Sequence, residues 1–217
     1  MKLITMINLM LEGMGGTCAI FFLTLLFSLP LGMVVALLRM SKNKVVSNVT
    51  RAIISVLRGT PLMLQLIAVT YGPYYLFQFS VSKNKLIPVV IAFAINYAAY
   101  FAEIYRSGIA SMPEGQYEAA KVLGMNRPQT FFLVILPQVV RRILPSMTNE
   151  IITLVKDTSL AFAIGQLEMF TMAKRLASAQ VSMKPYLVAA IIYYVFNFLV
   201  AGGMARLEKR FGRYSLK

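Results

Sequence analysis

Three carboxylates lie within stretches of the sequence that are otherwise apolar, and they are the side chains best suited to hold a cation. They are Glu103, Glu150 and Asp157. A charge at the centre of a bilayer costs about 2.5–3.5 kcal/mol even on the scale that comes from insertion experiments. Acids that remain in a membrane helix therefore tend to face a cavity or a partner, and a net negative cavity favours a positively charged ligand.

Other polar residues accompany these acids at helical spacing. One group follows i, i+4, i+7 and a second group follows i, i+3, i+7, so each group lies on a single face of a helix. The groups are Asn96, Tyr100 and Glu103, and then Glu150, Thr153 and Asp157. Two polar faces on two helices predict a shared hydrophilic cavity, and we take these six residues as candidate ligand contacts.

Several of these residues also have a purely structural interpretation. Glu103 precedes Arg106 by three residues, so the two can form a local ion pair. Lys156 and Asp157 are adjacent and point in different directions on a helix, so Asp157 could pair with another span instead. Asn96 could form a hydrogen bond between helices rather than to a ligand. The sequence leaves these alternatives open.

The apolar stretches that contain or surround these residues have the length of membrane helices. The chain is 58% hydrophobic and only 14% charged, whereas soluble domains carry about 25% charged residues. Three uncharged runs, 13–38, 59–82 and 185–205, are long enough for membrane helices of about 20 residues, and the run 86–102 is borderline at 17. We therefore predict an all-α integral membrane protein that forms one domain, 1–217, with five transmembrane helices. The predicted spans are about 13–38, 52–79, 86–108, 143–167 and 185–205.

Proline and glycine predict two irregularities in this series of helices. The sequence Arg58-Gly59-Thr60-Pro61 interrupts the second span, because proline removes a backbone donor. We expect an amphipathic segment before this break and a new helix from Pro61. The uncharged run 128–140 is too short to cross a bilayer, and we expect an inner-face helix that ends near Pro137.

The distribution of basic residues predicts how the chain crosses the membrane. With five spans and the N-terminus outside, 15 of the 22 Lys and Arg residues fall inside and six fall outside, while Lys156 lies within a span. This asymmetry is the one that the positive-inside rule requires. The net charge of +14 is then explained by anionic inner-leaflet lipid rather than by nucleic acid. We predict a multi-pass plasma-membrane protein with a cytoplasmic C-terminus.

The composition argues against several kinds of active site. The chain has no histidine and one cysteine, Cys18, so neither a Cys/His metal site nor an intrachain disulfide can form. It lacks the Gly-x-x-x-x-Gly-Lys-Ser/Thr loop that holds nucleotide phosphates. We expect a protein that is not an enzyme and that has no metal or cofactor of its own.

A polar, helix-forming segment, 114–124, lies between apolar runs and is expected to dock a soluble partner. Its pattern is Glu118-Ala119-Ala120, then Gly124, then Val134, then Leu136-Pro137. This pattern resembles the EAA motif of the membrane subunits of bacterial ABC importers, with Val134 where isoleucine is usual.

Further segments resemble the polar amino acid subfamily of these permeases, which serves histidine, glutamine, arginine and opines. They are 58–62, 102–106, 108, 113–116, 135–138, 149–150 and 156–160. The resemblance covers about half of the chain, in order. It implies a type I ABC importer transmembrane domain in the bacterial cell membrane, as a homo- or heterodimer. It also implies two ATP-binding cassette subunits, which carry the ATP and magnesium, and an extracytoplasmic substrate-binding protein.

The resemblance implies that segment 114–124 is the coupling helix between spans 3 and 4. By matching position, the residues that seat on the ATPase are Glu114, Glu118, Ala119, Ala120 and Gly124. Small alanines permit a close approach, and a glycine turns the chain at the end of the helix.

The implied substrate is an amino acid. The groups at membrane depth in one chain sum to three acids and one lysine, which favours a basic amino acid such as arginine, lysine or histidine. One alternative is an ion-coupled secondary amino acid transporter in which Glu103 and Asp157 carry protons, and another is a membrane scaffold without transport activity. The inverted repeats that are common in secondary transporters are not evident, and both alternatives leave the polar segment unexplained.

Overall fold

All regular structure in the described part of the chain is helical. The computed structural model describes residues 3–80 and 84–212. The α-helices are α1 (Leu3–Arg39), α2 (Lys44–Gly59), α3 (Leu62–Phe77), α4 (Leu86–Ala110), α5 (Glu114–Val122), α6 (Arg127–Gln129), α7 (Leu136–Asp157), α8 (Met169–Gln180) and α9 (Lys184–Gly212). A π-helix, Thr130–Ile135, joins α6 to α7, and a 3-10 helix, Thr158–Ile164, follows α7. Lys2, Lys83, Arg213 and Lys217, which the charge count includes, lie outside the described residues.

The predicted all-α membrane fold is confirmed. Within the described residues, four helical stretches are long and apolar enough to cross a bilayer: Leu3–Arg39, Leu86–Ala110, Arg127–Ile164 and Lys184–Phe211. Helices α2 and α3 together make a fifth candidate, bent by 106° at the break between them. This is the interruption that the sequence predicted at Pro61.

Helix α4 forms the centre of the bundle. Its side chains Phe93, Tyr97 and Phe101 are fully buried, and α1 packs along it. A Cβ added at Gly32 of α1 would lie only 2.9 Å from the Cβ of Phe101. The two helices therefore approach so closely because Gly32 has no side chain.

The fourth span differs from its prediction. The inner-face helix expected to end near Pro137 does not end there, because the chain stays helical from Arg127 to Ile164. The π-helix directly before Pro137 explains this: the N–H of Leu136 bonds to the carbonyl of Phe131, five residues back. A π-bulge of this kind re-pairs the backbone around the missing proline donor. The predicted span 143–167 is therefore the later part of a longer helix, which ends at Gly165 with φ of 77°.

Candidate functional site

A polar cavity lies where the break between α2 and α3 faces α4 and α7. Its volume is about 320 Å³, at the lower end of the range for small-molecule sites. Its lining comes from the break, from α4, from α7 and from the 3-10 helix: Thr60, Pro61, Leu62, Asn96, Tyr97, Tyr100, Glu150, Thr153, Asp157 and Leu160. Five of the six predicted contacts are therefore brought together, and Glu103 is the exception.

The side-chain amides of two residues stabilise the break between α2 and α3. Thr60 has the extended conformation that a following proline favours, so the last carbonyls of α2 lose their helical partners. The carbonyl of Leu57 instead accepts hydrogen bonds from the side-chain amides of Gln65 (2.8 Å) and Asn96 (3.1 Å). Asn96 also donates to Gln65 Oε1 at 3.0 Å. The structural interpretation of Asn96 is therefore supported, and the Gln65–Asn96 pair ties the break to α4.

Replacing Asn96 by leucine is expected to destabilise the cavity. The change removes two donated hydrogen bonds from a buried site and leaves Leu57 and Gln65 oxygens with one partner fewer, at a cost of about 1–3 kcal/mol. We expect a lower melting temperature of the purified protein and weaker ligand binding. Asn197→Leu is the matched control, because the Oδ1 atom of Asn197 is buried without a hydrogen-bond partner. Equal effects of the two changes would contradict this role of Asn96.

The two acids of the cavity have different surroundings. Asp157 accepts a hydrogen bond from the hydroxyl of Tyr97, 2.7 Å away. Glu150 lies within the electrostatic reach of Arg58 and of Asp157. The two carboxylates are seven residues apart on α7, which is about 10 Å along the helix axis. The cavity thus offers two anionic positions, separated by about the length of a small extended ligand.

Glu103 belongs to an ion-pair cluster away from the cavity. Its carboxylate lies 2.8 Å from Arg106, one turn further along α4, and 3.7 Å from Arg39 at the end of α1. The local ion pair that the spacing with Arg106 indicated therefore forms. The partner from α1 could not have been identified from spacing, because it comes from a distant part of the sequence.

The polar segment forms a short helix that projects beyond the bundle. Helix α5 begins with Glu114, and Ala120 is its one buried residue, whereas Glu118 and Ala119 are exposed. Gly124 has φ of +73°, and the N–H of Met125 bonds to the carbonyl of Ala120 at 3.0 Å. The glycine therefore ends the helix in the left-handed conformation, as its position predicted.

Two apolar side chains project from the end of this helix. Val122 is 87% exposed and Leu123 is 79% exposed. An exposed apolar pair at the tip of a polar helix is typical of a surface that a partner covers. No motif in the sequence marks these two residues, although they stand directly before Gly124.

Helix α5 is also bonded to the helices that carry the cavity. The amide of Gln138, in α7, donates to Gln116 Oε1 at 3.0 Å. The guanidinium of Arg142, also in α7, donates to the carbonyl of Ser111 between α4 and α5. The segment is thus bonded to α7 both directly and through the turn at Ser111 that joins α4 to α5.

Glu168 is a buried acid that the sequence analysis missed. It is fully buried between α1, α8 and α9 and caps the first turn of α8. Its carboxylate accepts hydrogen bonds from the N–H groups of Phe170 and Thr171 and from the hydroxyls of Thr171 (2.7 Å) and Tyr193 (2.9 Å). Burial raises the pKa of this carboxyl above its ordinary value, and the hydrogen bonds oppose that rise. The usual capping pattern has Ser or Thr first and Glu or Gln three residues later, and Glu168 and Thr171 stand in the reverse order, so no local pattern marked this helix start.

Replacing Glu168 by alanine is expected to lower the free energy of unfolding by about 2–4 kcal/mol, because a helix cap is lost and buried donors become unpaired. Glu168→Gln is the matched variant, since its side-chain oxygen still accepts from the helix N-terminus. We expect it to cost less than the alanine change. Thermal unfolding of the purified protein measures both, and equal losses would contradict a capping role.

The sequence is similar to a known family of membrane proteins. The family of binding-protein-dependent transport system inner membrane components matches residues 28–213. The L-cystine transport system permease protein TcyB of Bacillus subtilis (strain 168) is 38% identical over 208 residues, covering 94% of this chain and 87% of that protein. The arginine transport system permease protein ArgU of Corynebacterium glutamicum is 37% identical over 213 residues, covering 93% of this chain and 67% of that protein.

A solved structure agrees with these relatives. The crystal structure of an amino acid ABC transporter with histidines superimposes with a TM-score of 0.86 at 32% identity, covering 97% of this chain and 99% of that one. The described helices, the break in the second span and the polar segment before α6 are thus parts of one known architecture. The chain belongs to the binding-protein-dependent transport system inner membrane component family and is a permease subunit of an amino acid ABC importer.

Proposed function

We propose that this permease forms the translocation path of an importer for basic amino acids. The observation that carries the proposal is the cavity at the α2–α3 break, where Glu150 and Asp157 supply two carboxylates about two helical turns apart. Arginine and lysine carry an α-ammonium group and a second cation at the end of the side chain. Two separated anionic positions suit such a ligand better than they suit glutamine or glutamate.

The similarity to amino acid permeases supports an amino acid substrate. It does not determine which side chain that amino acid carries. One relative is named for arginine and another for cystine. The acids of the cavity are therefore the feature that favours a basic side chain. Nothing in the comparisons favours an ion-coupled mechanism.

We further propose the assembly in which this path works. Two permease chains surround the path, α5 of each seats on one of two ATP-binding cassette subunits, and an extracytoplasmic protein delivers the amino acid. Glu114, Glu118, Ala119 and Gly124 are exposed and belong to this coupling contact, whereas Ala120, which is buried in the isolated chain, supports the helix that carries them. Exposed Val122 and Leu123 add the apolar surface that such a contact requires. The excess of basic residues at the α5 end favours the cytoplasm for this end and the outside for the N-terminus.

The substrate class is tested by direct binding to the reconstituted transporter without its binding protein, so that the selectivity of the cavity alone is measured. We expect labelled arginine to be displaced by lysine and histidine but poorly by glutamine or glutamate. Asp157→Asn should weaken arginine binding about 10- to 100-fold, because a hydrogen bond to a charged group is lost. Glu103→Gln is the matched control, since Glu103 lies outside the cavity, and it should leave binding unchanged. A preference for glutamine in the unmodified protein would contradict the proposal.

A further inference from the structure

Arg58 brings a positive charge to the edge of the same cavity. It lies in the last turn of α2, directly before the break at Thr60–Pro61. Its guanidinium carbon lies 5.0 Å from the centre of the Tyr100 ring, and its charge acts on Glu150. Tyr100 and Glu150 both line the cavity. The charge count placed Arg58 on the inner side of the membrane, and its side chain reaches the residues of the proposed site.

The guanidinium of Arg58 has donors available for a ligand. The ion pairs found among the described residues both involve Glu103, with Arg39 and Arg106 as partners, and Arg58 takes part in neither. Its side chain is exposed, although it stacks on an aromatic face. Stacking uses the face of the guanidinium and leaves the N–H groups at its edge, which match the two oxygens of a carboxylate.

The arrangement of charges matches the arrangement of groups in an amino acid. The α-carboxylate and the α-ammonium group are attached to the same carbon, so a site for both needs a cation and an anion side by side. Arg58 and Glu150 supply these two charges from neighbouring walls, because Tyr100, whose ring centre lies 5.0 Å from the Arg58 guanidinium, lines the same cavity as Glu150. Asp157 supplies a second anion about 10 Å further along α7. We propose that Arg58 binds the α-carboxylate of the transported amino acid, with Glu150 at the α-ammonium group and Asp157 at the far end of the side chain.

This inference rests on the proposed function, which gives the position of the amino acid in the cavity. It adds the orientation of the amino acid within the cavity. The head group would lie toward α2 and the side chain toward the 3-10 helix. Arg58 and Glu150 would then contact a part that all amino acids share. Asp157, at the other end, would determine which side chain is accepted.

A pair of ligands that differ only in the carboxylate tests the assignment. Agmatine is arginine without its carboxylate, and both can be measured on the reconstituted transporter without the binding protein. We expect the unmodified protein to bind arginine more tightly than agmatine. Arg58→Gln should weaken arginine binding about 10- to 100-fold and leave agmatine binding unchanged. Arg58→Lys, which keeps the charge but loses the two-pronged geometry, should give an intermediate loss for arginine alone.

Two further measurements make the result decisive. Arg51→Gln removes an arginine two turns earlier on α2 that does not line the cavity, and it should change neither affinity. Thermal unfolding of each variant detects a loss of folding. An equal loss for arginine and agmatine in Arg58→Gln would overturn the inference and show that Arg58 only supports the fold or Glu150. Unchanged arginine binding would overturn it as well.

The failure of this inference can be separated from the failure of the proposed substrate class. If the unmodified transporter prefers glutamine, the class of substrate is wrong. The Arg58 variants are then tested with glutamine and its decarboxylated analogue, 4-aminobutanamide. Selective loss of glutamine binding supports Arg58 as the carboxylate contact, and equal loss of both ligands overturns it.

Discussion

Replacing Leu123 by aspartate is expected to abolish uptake while leaving the permease folded. Leu123 stands at the tip of α5 and is 79% exposed in the isolated chain, so the substitution does not disturb a core. In the proposed assembly it is covered by the ATPase subunit. An apolar contact at the centre of an interface contributes 2 kcal/mol or more, roughly a thirtyfold change in affinity. A buried, unpaired carboxylate adds to that loss.

The measurement is co-purification of the ATPase subunits together with amino acid uptake into vesicles. Val181→Asp is the matched control, because Val181 is the same kind of exposed apolar residue, 94% accessible, between α8 and α9. That control should retain the ATPase. Normal retention of the ATPase by the Leu123 variant would contradict α5 as the docking element, since its exposed apolar tip would then have no function in assembly.

Replacing Gly16 by alanine is expected to remove most of the folded protein, whereas alanine at the neighbouring Gly15 is tolerated. A Cβ at Gly16 would lie 2.2 Å from the carbonyl oxygen of Leu167, but a Cβ at Gly15 meets nothing within 4 Å. The Leu167 backbone has little freedom to move, because Thr17 accepts from Met169 N–H at 3.1 Å and Glu168 is fully hydrogen-bonded. Overpacking costs about 1–3 kcal/mol and occasionally more, and we expect the upper end of this range here because the clash is with backbone rather than with a flexible side chain.

Gly15 is a closely matched control for Gly16. Both changes add one methyl group to the same helix, and at Gly15 the better helix propensity of alanine should stabilise α1 by up to about 1 kcal/mol. The yield of monodisperse protein and its melting temperature measure the difference. Similar yields for the two variants would show that α1 and the segment before α8 are not packed as closely as described.

The sequence alone predicts the structural elements that depend on residues close to them in the chain. The break before α3 follows from Pro61 alone, since proline removes one donor and forces Thr60 to be extended. The end of α5 follows from Gly124, the residue that adopts the left-handed conformation most readily. The face shared by Glu150, Thr153 and Asp157 follows from the period of the helix and is confirmed by their common cavity.

The features that the sequence could not determine depend on residues from distant segments. The spacing allowed a pair between Glu103 and Arg106, but it gave no sign of Arg39, whose position depends on how α1 packs along α4. Pro137 was expected to end a helix, and the preceding π-helix, which has no clear sequence pattern, prevented this. The burial of Glu168 depends on the close approach of α1, which is possible because Gly13 and Gly16 face it.

The bonds between α5 and its neighbours have a mechanical consequence. Gln116 and Ser111, at the two ends of the turn into α5, are held by Gln138 and Arg142 of α7. Glu150 lies two turns beyond Arg142 on the same helix. Helix α7 is continuous from Arg142 to Glu150, with Pro145 between them, so we expect a shift of α5 to move the Glu150 side of the cavity. The Arg58 side belongs to α2, which is fastened to α4 through Asn96. We therefore expect a displacement of α5 to change the distance between the two walls of the cavity, and so to alter at once the contacts that we propose for the ammonium and the carboxylate group of the amino acid.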